Sequence, residues 1–429
     1  MKKIAIIGCG ISGMTAAHSL KNNYHVELFE KDSKPGGLIK CDVVDGNLYH
    51  MVGGHVFNSK RQDVLDWFWN FFDKEKEFTQ STRNAVAFME KPIGYPIENH
   101  LYQMDNGLIK KVINELLELS LKKGEEPKNF EEFLKKQFGD TLYEEYFKPY
   151  NEKIWKKDLS KVPLSWLEGK LPMPKVDEIF YNNIKKEKET KMVHSSFFYP
   201  KNNGSQFLAN RLAEGLNINL NTPVDNLIKN DKTNKWLINK EKEFDIVIFA
   251  GNIKALPSML ENDFLNEYSE RIESLDFHGT TSVLCEIDLN DFSWIYLPDT
   301  NFDAHRIICT GNFSNNNNRE GILSATIEFT DYISEEDLKK QLKHIPFSPK
   351  YIDHRYTKYT YPIQDVNTRD VISQIKKVTE KSGLYLTGRF AEWEYYNMDA
   401  AIGAAMDLSK KMLENDLNIP KDITVKIDN

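Results

Sequence analysis

The chain has 429 residues, 40% of them hydrophobic and 28% charged, with 56 Lys and Arg against 64 Asp and Glu. At ~150 residues per domain this length predicts two or three domains around a large core, and the composition excludes collagen-like, disordered and disulfide-scaffold classes. A net charge of −8 argues against a nucleic-acid backbone as partner, while 19 Tyr and 7 Trp form a surplus that bulk numbers assign neither to core nor to binding surface.

Two lysines and then Ile4, Ala5, Ile6 and Ile7 open the chain. The run is shorter than the ~7–15-residue apolar stretch of a secretory signal and reads as a buried parallel strand. Gly8-Cys9-Gly10-Ile11-Ser12-Gly13 matches GxGxxG, residues 14–20 continue as a helix, and residues 26–29 form a second strand ending at Glu30, 22 residues after Gly8. The first two glycines allow a tight turn and close approach to a pyrophosphate. The third lets the helix pack on the strand with its N-terminus toward the phosphates. An acid at the tip of the second strand suits a ribose hydroxyl. All five parts occur in order, which predicts a dinucleotide site rather than a plain glycine turn. Lys31-Asp32-Ser33-Lys34-Pro35-Gly36-Gly37 follows, and its Gly-Gly pair, with Leu38 after it, resembles the extended motif of glutathione-reductase-like flavoproteins. That resemblance implies FAD rather than NAD.

Residues 62–74 and 105–165 read as mostly helical, with apolar residues at i, i+3 and i+4 over 108–123 and 130–138. Charge runs at 122–126 and 185–191 read as solvated faces or loops, and Asn315 to Asn318 as a short polar loop. Strands are predicted at 195–199, 235–239, 244–250, 278–288, 293–298, 305–313, 321–329 and 385–388, and a last helix at 398–413. The predicted fold class is α/β, with a discontinuous FAD-binding, Rossmann-like domain over 1–85, 190–255 and 365–429. A helical insertion (86–189) and an antiparallel β-sheet insertion (256–364) interrupt it, and the cleft they bound is the natural site. No apolar run approaches the ~20 residues of a membrane span. The four cysteines contain no CxxC pair, so the expectation is a soluble protein of a reducing, cytoplasmic compartment.

Several blocks spread over nearly the whole chain resemble one family, the UDP-galactopyranose mutases, flavoenzymes that interconvert pyranose and furanose forms of a nucleotide-bound sugar. His50-Met51-Val52-Gly53-Gly54-His55-Val56-Phe57 is similar to the glycine–histidine stretch beside the flavin. Arg83 and Gly94-Tyr95-Pro96-Ile97-Glu98-Asn99 resemble the next block, and Pro149-Tyr150-Asn151-Glu152-Lys153-Ile154-Trp155 resembles the base-binding helix. Trp294-Ile295-Tyr296-Leu297-Pro298, with Arg306 after it, is similar to the diphosphate-binding sheet of the eukaryotic branch. Tyr361-Pro362-Ile363 and Gly388-Arg389-Phe390-Ala391-Glu392-Trp393-Glu394-Tyr395-Tyr396-Asn397-Met398-Asp399 complete the set. Gly-Arg before a terminal helix is common to many flavin oxidases; the joint order carries the resemblance.

The residue types suit such a ligand. A diphosphate calls for a guanidinium and for phenols that donate without adding charge, as Arg306, Tyr296, Tyr361 and Tyr395 would. A base calls for an aromatic shelf and an amide, for which Tyr95, Trp155 and Asn151 are candidates; the resemblance adds Glu98, Trp294 and Asn397 to the substrate-binding set. The resemblance implies that His55, Arg306, Tyr296, Tyr361, Tyr395 and Lys170 form the catalytic set. It places FAD against Gly8, Gly10, Ile11, Ser12, Gly13, Glu30, Lys31, Gly36, Gly37, Leu38, Gly54, His55, Val224, Gly388, Arg389, Asn397, Met398 and Asp399. The helix starting near Met398 would aim its positive end at a reduced, anionic flavin. The implied reaction has reduced flavin N5 displace the nucleoside diphosphate at the anomeric carbon, the resulting adduct opening and reclosing through another hydroxyl, with a nicotinamide cofactor as reductant. The partner is then a nucleoside diphosphate sugar, with no nucleic acid, no membrane and no metal, and a homo-oligomer is left open. Two positions depart from the family: Lys170 stands in for an arginine, and Glu98 for a glutamine that reads uracil. The segment Phe198-Tyr199-Pro200-Lys201-Asn202-Asn203-Gly204-Ser205 also resembles redox flavoenzymes of the amine-oxidase and protoporphyrinogen-oxidase type, which remain the alternative.

Overall fold

In a computed structural model of the chain, the described residues are 1–121, 126–164, 174–186, 194–230, 232–261 and 263–417. The opening strand β1 (Lys3–Ile7) is central in a five-stranded parallel sheet, flanked by Ile246–Phe249 and by β2 (His25–Phe29), with Leu384–Leu386 and Ile218–Asn219 at the edges. Side chains alternate across a strand. Ile4 and Ile6 therefore enter one core with helix α1 (Ile11–Leu20) and the terminal helix Met398–Leu417, while Ala5 and Ile7 enter a second core on the other face. Burial on both faces explains why β1 is an unbroken apolar run.

A second sheet has seven strands in the order Lys350–Pro362, Phe277–Ile287, Leu323–Thr330, Ala304–Ile308, Trp294–Tyr296, Ala85–Met89 and Lys91–Gly94. Its pairings are antiparallel except for the parallel join of Trp294–Tyr296 to Ala85–Met89. Helices Asn106–Leu121, Phe130–Leu142 and Lys148–Trp155 pack around a third core that contains Val112, Leu116, Leu134 and Trp155.

Several sequence expectations change. Residues 86–94, expected as the start of the helical insertion, lie in a hairpin on the large sheet because Val86 and Ala87 bury against strand neighbours. Residues 256–275 fall within the expected sheet insertion. They make short helical turns whose Leu256, Leu265 and Ile272 pack into the second nucleotide-domain core. The strand expected over 305–313 ends at Ile308 and gives way to a turn at Thr310–Asn312. The thirteen-residue edge strand Lys350–Pro362 was not anticipated, since its Lys, His, Thr and Tyr side chains give little apolar alternation. No helix among the described residues is long and apolar enough to cross a membrane.

Candidate active site

The dinucleotide loop is held by backbone contacts. A Cβ on Gly13 would lie 2.1 Å from the Gly8 carbonyl oxygen, so only glycine lets α1 approach this closely. Gly36 forms a bridge with Gly10 and donates its N–H to the Cys9 carbonyl at 2.9 Å, bringing the two glycine motifs together. The Glu30 carboxylate is buried and accepts from the amides of Cys9 (2.8 Å) and Asp32 (3.0 Å), which fixes it beside the loop. Gly388 packs on Ser12, with 3.0 Å between the position of a Cβ and Ser12 Oγ, and Asp399 accepts from Ser59 Oγ at 3.1 Å. Val224 packs against the core beneath this loop. Lys31 and Asn397 are exposed.

The second half of the site is a row across the large sheet. Directly opposed residues share a face. Pairing sets Ala87 opposite Tyr296, Tyr296 opposite Arg306, Arg306 opposite Glu328, and Glu328 opposite Ser282. Arg306 Nε donates to the Glu328 carboxylate, and an Arg306 terminal nitrogen donates to the Tyr361 hydroxyl at 2.8 Å. The Tyr361 ring stacks on Tyr395 (5.6 Å between centroids), and the Arg389 guanidinium lies 4.3 Å from the Tyr395 centroid. Glu328 also accepts the Gly53 amide at 2.8 Å, tying Arg306 to the Gly53-Gly54-His55 turn. That turn sits tightly on the sheet: a Cβ on Gly54 would lie 2.5 Å from Ile308.

Burial would raise the Glu328 carboxyl, but Arg306 and His305 outweigh it and hold the group well below the usual carboxylate range. Burial, with Arg389 nearby, pulls the His55 imidazole down to about 4, so it is neutral near pH 7. Burial keeps the Tyr361 phenol above its ordinary value. Because Tyr361 accepts from Arg306, it retains its own O–H for donation.

A third group adjoins the row. Arg83 donates to the Tyr296 hydroxyl and lies 4.7 Å from the Trp294 centroid. Tyr95 contacts Tyr296 at 4.5 Å, and Tyr150 meets it edge-on at 5.5 Å. Asn151 lies beside Tyr150, with its amide donating to the Phe147 carbonyl at 2.7 Å. Glu98 is buried, as is Tyr146, which stacks on Tyr150. Trp155 corrects the expectation of an open shelf: it is 2% exposed and packs on Phe130 within the helical core. Lys170 lies outside the described residues. The sequence reading passed over Glu328 and Tyr150 as site residues. Glu328 had one signal, being the sole charged residue in the otherwise apolar and hydroxylic strand Leu323–Thr330.

Two polar atoms test the fit to a flavin: His55 Nδ1 and Arg389 Nε are buried without a hydrogen-bond partner among the described residues. With the glycine cradle and Glu30, they are the donor and acceptor set a dinucleotide with a heteroaromatic ring requires.

Residues 6–74 match the NAD(P)-binding Rossmann-like domain. The chain is 31% identical over 182 residues to a dTDP-fucopyranose mutase of Escherichia coli, a match covering 40% of this chain and 46% of that enzyme. It is 22% identical to the UDP-galactopyranose mutase of Mycoplasma genitalium over 96% of this chain and 94% of the relative. A solved reduced UDP-galactopyranose mutase shares the fold with a TM-score of 0.85 at 20% identity, over 98% of this chain and 97% of that one. A putrescine oxidase shares it more distantly, with a TM-score of 0.61 at 13% identity over 96% and 99% of the two chains. In sequence and fold together, the chain is similar to the UDP-galactopyranose mutases, and it shares its fold more distantly with an amine oxidase.

Proposed function

We propose that this protein is a flavin-dependent mutase that interconverts pyranose and furanose forms of a nucleoside diphosphate sugar. The observation that carries this reading is the Tyr296–Arg306–Glu328 row, which joins a cation for a diphosphate to the His55 turn. The kinship with nucleotide-sugar mutases supports it. An apolar or amine substrate would have no use for a half-buried arginine ringed by tyrosines.

FAD would be held by the cradle of Gly8, Gly10, Gly13, Gly36 and Gly37, with Glu30 at the ribose and His55 and Arg389 toward the ring. When bound and reduced, FAD would supply the nucleophile for the sugar's anomeric carbon, with a nicotinamide cofactor as the proposed reductant. Glu328 holds Arg306 in one orientation, so its fork meets the diphosphate without reorganisation. Tyr361 would donate a hydrogen bond to a phosphate oxygen, and Tyr395 supports it by stacking. Neutral His55 offers a hydrogen bond without placing a second positive charge beside Arg389. Tyr95, Tyr150 and Asn151 border the place of the base. Glu98, when ionised, only accepts hydrogen bonds, which suits guanine or cytosine better than uracil. The same reading places the protein in the cytoplasm with its nucleotide substrate.

The test is to incubate the reduced, FAD-loaded protein with candidate nucleotide sugars and follow pyranose–furanose exchange by chromatography. Exchange with at least one sugar is expected. Failure with all of them, alongside rapid oxidation of an amine or a porphyrinogen, would overturn the proposal. Binding of UDP, dTDP, CDP and GDP in parallel tests the base, and a clear preference for UDP would remove the role given to Glu98.

A further inference from the structure

Helix Lys148–Trp155 and the loop between strands Trp294–Tyr296 and Ala304–Ile308 meet along one face. Tyr150 touches Tyr296 there, and Lys153, one turn further on, runs beneath the loop. Lys153 is only 8% exposed. Its ammonium donates to three backbone carbonyls, those of Leu297 (2.9 Å), Ala304 (2.9 Å) and Asp299. It also lies 4.5 Å from the Phe302 ring centroid. Three donors to three carbonyls is the full capacity of an ammonium, and a buried charge is tolerated only when paired in this way. A second tie holds the end of the same helix: His278 Nε2 reaches the Trp155 carbonyl at 2.9 Å while its Nδ1 contacts Asp331 at 2.9 Å.

We propose that Lys153 is a positioning residue of the nucleotide site, its ammonium stapling the helix that carries Tyr150 and Asn151 to the hairpin that carries Tyr296 and Arg306. This rests on the proposed function, because it assumes a ligand whose base meets the helix and whose diphosphate meets the hairpin. A ligand spanning two elements gains from their fixed separation, as two linked binding events do. A ligand touching one element gains nothing. Lys153 contacts neither base nor phosphate in this scheme; it sets the distance between the groups that do. Its surroundings make the staple sensitive to pH around neutrality. Burial brings the ammonium down to about 7, with Lys156 adding to the fall and Asp299 and Asp303 opposing it. The buried His305 also lies within its influence.

The test uses the FAD-loaded protein and two probes: inorganic pyrophosphate, and whichever of UDP, dTDP, CDP and GDP binds the wild type most tightly. Lys153→Met is expected to weaken the nucleotide by about tenfold or more while pyrophosphate affinity stays within about twofold. Lys153→Arg, which keeps the cation, is expected to restore most of the nucleotide affinity. An unchanged nucleotide affinity, or an equal loss for both probes, would overturn the staple. If Lys153→Met does not fold, wild type and Lys153→Arg are compared from about pH 6 to 9. Nucleotide affinity then falls with rising pH in the wild type alone, and parallel profiles overturn the staple. A wild type that binds pyrophosphate but none of the four nucleotides sinks the proposed function instead.

Discussion

The two halves of the candidate site are built in contrasting ways. The dinucleotide loop lies within the first 37 residues and is held by backbone: glycines at which a Cβ would collide, 2.1 Å from a carbonyl oxygen at Gly13, a bridge between Gly10 and Gly36, and amides that donate to Glu30. The Arg306 row draws on residues from 53 to 395 and is held by side-chain charge, with Glu328 linking Arg306 to the Gly53 turn and Tyr361 stacking on Tyr395. A backbone site depends on what is absent from a few positions. A charge-built site depends on partners that only strand register brings together, so damage to each half should read out differently.

The largest effect is expected at Glu328. Glu328→Gln leaves the half-buried Arg306 without its buried counter-ion and should cost on the order of 3 kcal/mol of stability, seen as a lowered melting temperature. The carboxyl's folded pKa lies below its unfolded value. Its contribution is therefore present above the unfolded pKa of ~4.3 and is lost as pH falls toward the folded value. The gap between wild type and variant should narrow below about pH 4, and a gap that widens in acid would refute the ion pair as its source.

Next comes Gly13→Ala. The added methyl meets the Gly8 carbonyl, so the loop must shift at a cost near the upper end of about 1–3 kcal/mol, and purified protein should have lost most of its visible flavin absorbance. Arg306→Lys is expected to be smaller and opposite in kind: flavin content stays, while nucleoside diphosphate affinity drops by about tenfold, equivalent to ~1.4 kcal/mol, because a lysine cannot serve Glu328 and Tyr361 in the same fork. Flavin loss in Arg306→Lys would show that the halves are not separable. Tyr361→Phe removes one hydroxyl and should weaken the nucleotide by about 1 kcal/mol in a titration.

The smallest effect concerns the seam between the halves, where His55 stacks near His50 at 6.5 Å. Burial lowers both, to about 4 and about 3. Their unfolded forms bind protons more readily, so the stability they confer is full above pH ~6.5 and is lost as pH falls toward the folded values. The wild type should lose stability between about pH 6.5 and 4, and His55→Gln should flatten part of that slope in melting curves. An unchanged slope would remove His55 from the buried seam.

Some of this was legible along the chain and some was not. The βαβ start could be read because each requirement is local: apolar residues for a strand buried on both faces, glycines where backbone must meet backbone, and an acid at a strand tip. Arg306, Tyr361, Tyr395 and His55 were found through a resemblance, and nothing in their own neighbourhoods would have grouped them. Trp155 went astray because an aromatic in a binding motif and an aromatic in a core have the same local signature. Glu328 was passed over because a lone acid in a strand has meaning only once its cross-strand partner is known.

By itself, then, the sequence determined the nucleotide-binding framework, since turn geometry and strand burial depend on residues a few positions apart. The tertiary structure alone decided which distant side chains share a row, which aromatics stay in the core, and where Lys153 caps the hairpin loop. Those outcomes depend on register and on desolvation of charges in three dimensions, and neither is encoded in short-range spacing.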